Sequence, residues 1–310
     1  MARVFVIAVI LPLYVSAFMY RPRTGLTWDP SCMIWKNKTY CYFMYACGST
    51  TAGCNGTNET HYGHGLVAVS DDSVHFKDHS AFNAEYPGVI WDKCMVHKVS
   101  SGDDDPMFVM NHGTAGAVTG PDPPNVPLPN DHGCPTGTSQ CLRFLQSKDA
   151  LTWEYMYTLH PDTRWYRSKG ENPAVSTGRW DHAYMQEDQE RGGFIAFPVA
   201  TPAAPRPPAP GILRSKDGLN WTVHEPVVTD FASRGVTPSS FEIGGVERMS
   251  NNRYYMIGGG EPYGFGYSMF TLVSNSSDVA GPYLPDAQAY RLSGQSKTMV
   301  RANYSLHAVP

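Results

Sequence analysis

The sequence predicts an all-β chain, a β-propeller of four-stranded antiparallel blades. Three observations carry that expectation. Gly (29) and Pro (25) are abundant without a collagen period, as many short strands joined by turns require. One turn pattern recurs, Ser70 to Phe76, Ser147 to Trp153 and Ser215 to Trp221. In each copy a Ser precedes an aromatic by six residues, with Asp72, Asp149 or Asp217 two places after the Ser. An aromatic–acid pair recurs upstream of the turns, as Trp28-Asp29, Trp91-Asp92, Trp180-Asp181 and Phe241-Glu242.

Each aromatic–acid pair opens a strand, and a second apolar strand follows after a polar turn: 40–45, 107–110, 194–197 and 254–257. A third strand (66–69, 142–145, 212–214) leads into the Ser-x-Asp turn. There the Asp stabilises the turn, and the aromatic packs under the strand that follows. Thr271 to Ser274, leading to Gly281-Pro282-Tyr283, is a degenerate fourth copy. The units therefore begin near residues 28, 91, 180 and 241 of one propeller domain, 18–310. The Pro-rich stretches 119–137 and 198–211 fall between the second and third strands of their units and read as surface loops.

The N-terminus reads as a signal peptide over 1–17. Arg3 is the basic residue, Val4 to Val15 the apolar run, and Val15-Ser16-Ala17 the small-residue cleavage site. No later segment approaches the ~20 apolar residues of a membrane span. Six N-x-S/T sequons, at Asn37, Asn55, Asn58, Asn220, Asn275 and Asn303, agree with a secreted glycoprotein. The seven cysteines form no C-x-x-C pair, which argues against zinc. Close spacings suggest Cys32–Cys41, Cys47–Cys54 and Cys134–Cys141, leaving Cys94 over. A net charge of -4 with 17% charged residues argues against a nucleic-acid surface.

In a propeller the first strand of each blade lines the channel, so Asp29, Asp92, Asp181 and Glu242 are expected to approach one axis. Converging carboxylates raise the pKa of one of their number. A protonated acid beside an ionised one is what glycoside hydrolysis requires. Trp28, Trp91, Trp180 and Phe241, with Asp92, are the candidate sugar-binding residues, the rings offering faces for stacking. Taken singly, each carboxylate has a plainer reading as a cap on a strand turn.

Asp29-Pro30-Ser31 with Tyr40-Cys41-Tyr42, the turns Ser147 to Glu154 and Ser215 to Trp221, and Glu242 to Tyr255 resemble the five-bladed glycosidases of the family 43/32/68 type. The resemblance covers about residues 28–290. It implies Asp29 as general base or nucleophile, Asp181 or Asp92 as the acid that orients the sugar and tunes the donor, and Glu242 as proton donor. The usual Glu-x-Pro is replaced here by Glu242-Ile243-Gly244-Gly245-Val246-Glu247, so Glu247 is a second candidate donor. The resemblance implies five blades, whereas about 20 residues follow Tyr290, too few for four strands. An incomplete last blade, closure by N-terminal residues and a four-bladed ring all remain open.

No cofactor is expected. Members of the resembling families sometimes hold a cation in the channel, calcium for example, and His182 is the nearest candidate for one here. The expected partner is an oligo- or polysaccharide. Two alternatives to a secreted hydrolase stand: a carbohydrate-binding propeller without catalysis, favoured by the departure around Glu242, and an adhesion propeller using the Pro-rich loops.

Overall fold

A computed structural model describes residues 22, 26–47, 61–82, 94–100, 102, 104–115, 140–167, 179–234, 241–260, 268–285 and 291–294. Four antiparallel sheets follow one another along the chain as the blades of a propeller. The first holds β1 (Leu26–Trp35), β2 (Lys38–Cys47), β3 (His61–Ser70) and β4 (Phe76–Phe82), the second β5 (Met95–Lys98), β6 (Phe108–Ala115), β7 (Gln140–Ser147) and β8 (Glu154–Leu159). After β9 (Tyr166–Arg167), the third holds β10 (Trp180–Glu187), β11 (Phe194–Pro202), β12 (Ile212–Ser215) and β13 (Thr222–His224). The fourth holds β14 (Glu242–Arg248), β15 (Tyr254–Gly260), β16 (Ser268–Ser274) and β17 (Tyr283–Pro285). Two short strands add edges: β9 pairs β11, and β18 (Arg291–Gly294) pairs β16. A single turn of 3-10 helix, Ala232–Arg234, is the only helix among the described residues.

Local chemistry explains the turns. Lys36 and Asn37 both take positive φ (48° and 60°) in the two-residue turn between β1 and β2, the geometry that matches strand twist. The Ser-x-Asp turns share one hydrogen-bond scheme. Ser70, Ser147 and Ser215 each donate Oγ–H to the Asp two places on, at 2.9, 3.0 and 2.9 Å. The same carboxylates accept backbone N–H groups from residues 74 and 75, 151 and 152, and 219 and 220. The residue after each Asp is left-handed: Ser73, Ala150 and Gly218 at φ 60°, 63° and 74°. At Gly218 space is also tight, because a Cβ there would come within 2.8 Å of Val99 Cβ. The fourth copy lacks the Asp, and Ser274 Oγ instead donates to the Ser276 carbonyl at 2.6 Å.

The core lies between blades. Alternate residues of a strand serve opposite neighbours. On β11, Ile195 and Phe197 pack with Ile243, Val246 and Met256 of the fourth blade. Ala196 and Ala200 pack instead with Val109 and Leu142 of the second. The turn aromatics lock adjacent blades together. Trp153 meets the Tyr42 ring edge-on at 5.7 Å, and Tyr42 donates to the Ala150 carbonyl at 2.8 Å. One blade on, Tyr157 donates to the Leu219 carbonyl and accepts from Trp221 N–H.

Cys32 and Cys41, directly opposite in the β1–β2 ladder, are disulfide-bonded as the spacing suggested. Cys141 is also disulfide-bonded, while Cys134, its expected partner, lies outside the described residues, as does Cys54. Cys94 is buried and not disulfide-bonded. The signal-peptide segment lies outside the described residues too, and no described helix is long and apolar enough to cross a membrane. Part of the expected loop 198–211 is strand, since β11 runs on through Pro202.

Candidate active site

The leading strands of consecutive blades are neighbours: β5 lies against β1 and β10, and β10 against β14. Two of them depart from regular pairing at the acid. The β1 register shifts between Trp28 and Ser31, a gap that holds Asp29, and the β10 register shifts between Trp180 and Ala183, a gap that holds Asp181. On β14 the shift follows Glu242, between Ile243 and Gly245. A bulge leaves a residue unpaired and re-aims its side chain. So at Trp28-Asp29 and Trp180-Asp181 the aromatic–acid pair of the sequence marks a bulged strand start.

Arg179 brings two of the candidate acids together. Its Nε donates to Asp181 Oδ2 at 2.5 Å, and its Nη1 pairs with Glu242 Oε1 of the next blade. Asp181 is 1% exposed, whereas the side chains of Arg179 and Glu242 keep 29% and 21%, so solvent reaches the clamp from the Glu242 side. Gly258, across the ladder from Ile243, makes room for this corner. A Cβ there would fall 2.5 Å from Phe241 Cζ and clash with the Glu242 carbonyl. Sequence reasoning passed over Arg179, although a basic residue two places before an acid on one strand shares its face and was open to notice.

A second residue missed by sequence is Asn111 on β6, fully buried. Its Nδ2 donates to the Ala183 carbonyl at 2.8 Å, and its Oδ1 accepts Ala183 N–H at 2.7 Å. Asn111 thereby satisfies both backbone groups of the residue that ends the Asp181 bulge.

Glu247 stands apart from Glu242. Five steps of strand separate them, about 16 Å at ~3.3 Å per residue. Burial pushes the Glu247 carboxyl above its ordinary range, and a hydrogen bond from Tyr184 pulls it partly back. Tyr184 itself is pushed up to about 12, first by burial and then by the Glu247 charge.

Two proposed sugar platforms are corrected. Trp180 and Phe241 are 0% and 1% exposed. Trp180 packs on Tyr166 and donates to the Leu159 carbonyl, while Phe241 packs on Phe231. Successive strand residues point to opposite faces, so Trp180 and Phe241 enter the inter-blade core as Asp181 and Glu242 turn away from it. Asp29 and Trp28 are on β1 with side chains outside the description, and Trp91 and Asp92 lie outside the described residues. His182, the candidate for holding a cation, is 4% exposed inside the bulge. No group of three or more His, Cys, Asp or Glu suited to a metal gathers among the described residues.

No family model matches the chain, and no curated protein matches it by sequence. Solved structures do match it. An endo-arabinase from Bacteroides thetaiotaomicron is 14% identical, with a TM-score of 0.53 over 88% of this chain and 84% of its own. A Schwanniomyces occidentalis fructofuranosidase complexed with fructosylnystose is 13% identical, with a TM-score of 0.52 over 88% of this chain and 48% of its own. The family-32 β-fructofuranosidase of Bombyx mori is 11% identical, with a TM-score of 0.51 over 87% of this chain and 52% of its own. Four-stranded blades, bulged acid-bearing leading strands and these likenesses together give the chain a β-propeller fold that it shares with the endo-arabinase and the family-32 β-fructofuranosidase.

Proposed function

We propose that the chain hydrolyses glycosidic bonds at the channel end of β1, β10 and β14. The observation that carries this reading is the pairing of Asp181 and Glu242, from successive blades, through one guanidinium. Asp29 occupies on β1 the bulge position that Asp181 occupies on β10. In this reading Asp29 is the base or nucleophile, Glu242 the proton donor, and Asp181, too buried to touch the sugar, the acid that tunes the donor through Arg179. Glu242 reaches the glycosidic oxygen only by turning from Arg179, and Asp181 then keeps the guanidinium paired. Glu247 is assigned a structural role with Tyr184 at the far end of the strand.

The reading extends to location. The basic and apolar N-terminus and the sequons support secretion with N-glycans; Asn37 and Asn275 stand exposed on turns. A carbohydrate-binding propeller without catalysis is the second reading, and one observation favours it: Glu242 is engaged by Arg179.

The test is the leaving-group dependence of aryl-glycoside hydrolysis. Glu242→Gln should slow glycosides of poor leaving groups strongly and those of activated phenols little, because only the former need protonation. The same pattern in Glu247→Gln and not in Glu242→Gln would move the donor along β14.

A further inference from the structure

Beside the acids lies a row of side chains with an unanswered positive charge. Arg179 N–H donates to Thr201 Oγ1 and Thr201 N–H to the Arg179 carbonyl, so these two residues sit opposite one another at the β10–β11 edge. Thr201 is in turn the register partner of Arg167 on β9. Residues in one cross-strand row share a face. The opposite face is fixed independently, because Trp180, Ala200 and Tyr166 all enter the core toward the second blade. Arg167, Thr201 and Arg179 therefore face the fourth blade, where Arg179 meets Glu242. Two strand spacings of about 4.8 Å set the arginine backbones about 10 Å apart, within the combined reach of two such side chains.

The arginines of this region differ in how they are paired. Arg179 has Asp181 and Glu242, Arg164 has Asp162, and Arg206 has Glu225. Arg167 is half-buried, its Nε is shielded from solvent without a hydrogen-bond partner, and no carboxylate among the described residues pairs with it. A shielded guanidinium donor without an acceptor is costly, and its planar fork suits a carboxylate or sulfate.

We infer that Arg167 forms an anion-binding subsite next to the acids, and that the glycan taken there carries a carboxylate or sulfate on a sugar neighbouring the one held at Glu242. This rests on the glycoside-binding reading of the channel, but not on cleavage. The two sources of the anion, a uronic acid and a sulfate ester, offer Arg167 the same paired oxygen acceptors.

The test is affinity electrophoresis of the full chain against matched polymers: xylan with glucuronoxylan, and neutral with sulfated galactan. Reducing ends are assayed in parallel. Wild type should prefer at least one anionic polymer over its neutral match by about tenfold, with the preference shrinking as salt rises. Arg167→Gln should bring that ratio to about one, and Arg167→Lys should restore part of it, with melting curves checking that both variants fold. Preference for glucuronoxylan alone assigns a carboxylate, and for sulfated galactan alone a sulfate. An Arg167-dependent preference without cleavage of any polymer would uphold the subsite and remove the hydrolase. Cleavage with no anionic preference in wild type, or with a preference unchanged in Arg167→Gln, would uphold the hydrolase and overturn the subsite.

Discussion

Asn111 and Ala183, 72 residues apart in sequence, exchange two hydrogen bonds across the junction of the second and third blades. The amide of Asn111 takes the place of a neighbouring strand for Ala183, the residue at which the β10 register resumes after the bulge. It ties the Asp181 position to the rigid centre of the second blade.

Asn111→Ala should cost about 2–4 kcal/mol, because both partner groups of Ala183 are left buried and unsatisfied. Asn111→Asp should cost at least as much at neutral pH, because it buries a carboxylate against the Ala183 carbonyl. Urea denaturation measures both. In surviving protein kcat should drop further than KM changes, as expected when an acid is misplaced and the sugar still binds.

Arg179→Gln removes the shared partner of Asp181 and Glu242. Leaving the Asp181 carboxylate buried without its guanidinium should cost about 3 kcal/mol. Arg179→Lys should recover only part, since a point charge cannot reach two acids as a planar fork does. A double-mutant cycle of Arg179→Gln with Glu242→Gln should show coupling; additive losses would mean that the two groups do not interact.

The Ser-x-Asp turns should be the local determinants of stability at the blade rims. Asp149 accepts the N–H groups of Leu151 and Thr152 at 2.8 and 2.6 Å. Asp149→Ala should cost about 1–3 kcal/mol by removing that acceptor, and Trp153→Ala about 3–5 kcal/mol by emptying the pocket beside Tyr42. Lys148→Ala, one residue away and exposed, should change thermal stability little.

Stability should fall on acidification through His97. Burial holds its imidazole down to about 4, against about 6.5 in the unfolded chain. Between those values the unfolded chain binds the extra proton, so folding free energy is retained above pH 6.5 and lost progressively as pH falls toward 4. The loss from this site is about 3 kcal/mol. His97→Phe, which keeps a ring against Phe194, should flatten that slope of melting temperature with pH.

The blades were legible in the sequence because their turn chemistry is local. Each Ser, Asp and aromatic lies within seven residues, and the structure bonds them to one another and to nearby N–H groups. The nearness of Asp181 to Glu242 was legible because the two acids hold equivalent places in the repeat. Trp180 and Phe241 were misread because adjacency to an acid was taken to mean a shared pocket, while strand alternation sends neighbours to opposite faces. Asn111 gave no local signal, since its partner belongs to the next blade. The Arg167 row was also hidden, because it depends on the pairing of β9 with β11 across an intervening segment.

The most direct test of the central claim is the release of reducing ends from arabinan, xylan and galactan by the purified full chain beside its Asp29→Asn variant. The hydrolase account predicts steady release by wild type from at least one polymer and a loss of at least ~1000-fold in Asp29→Asn, with both proteins melting alike. Binding of a polymer by wild type without release, or equal release by the two proteins, would contradict it.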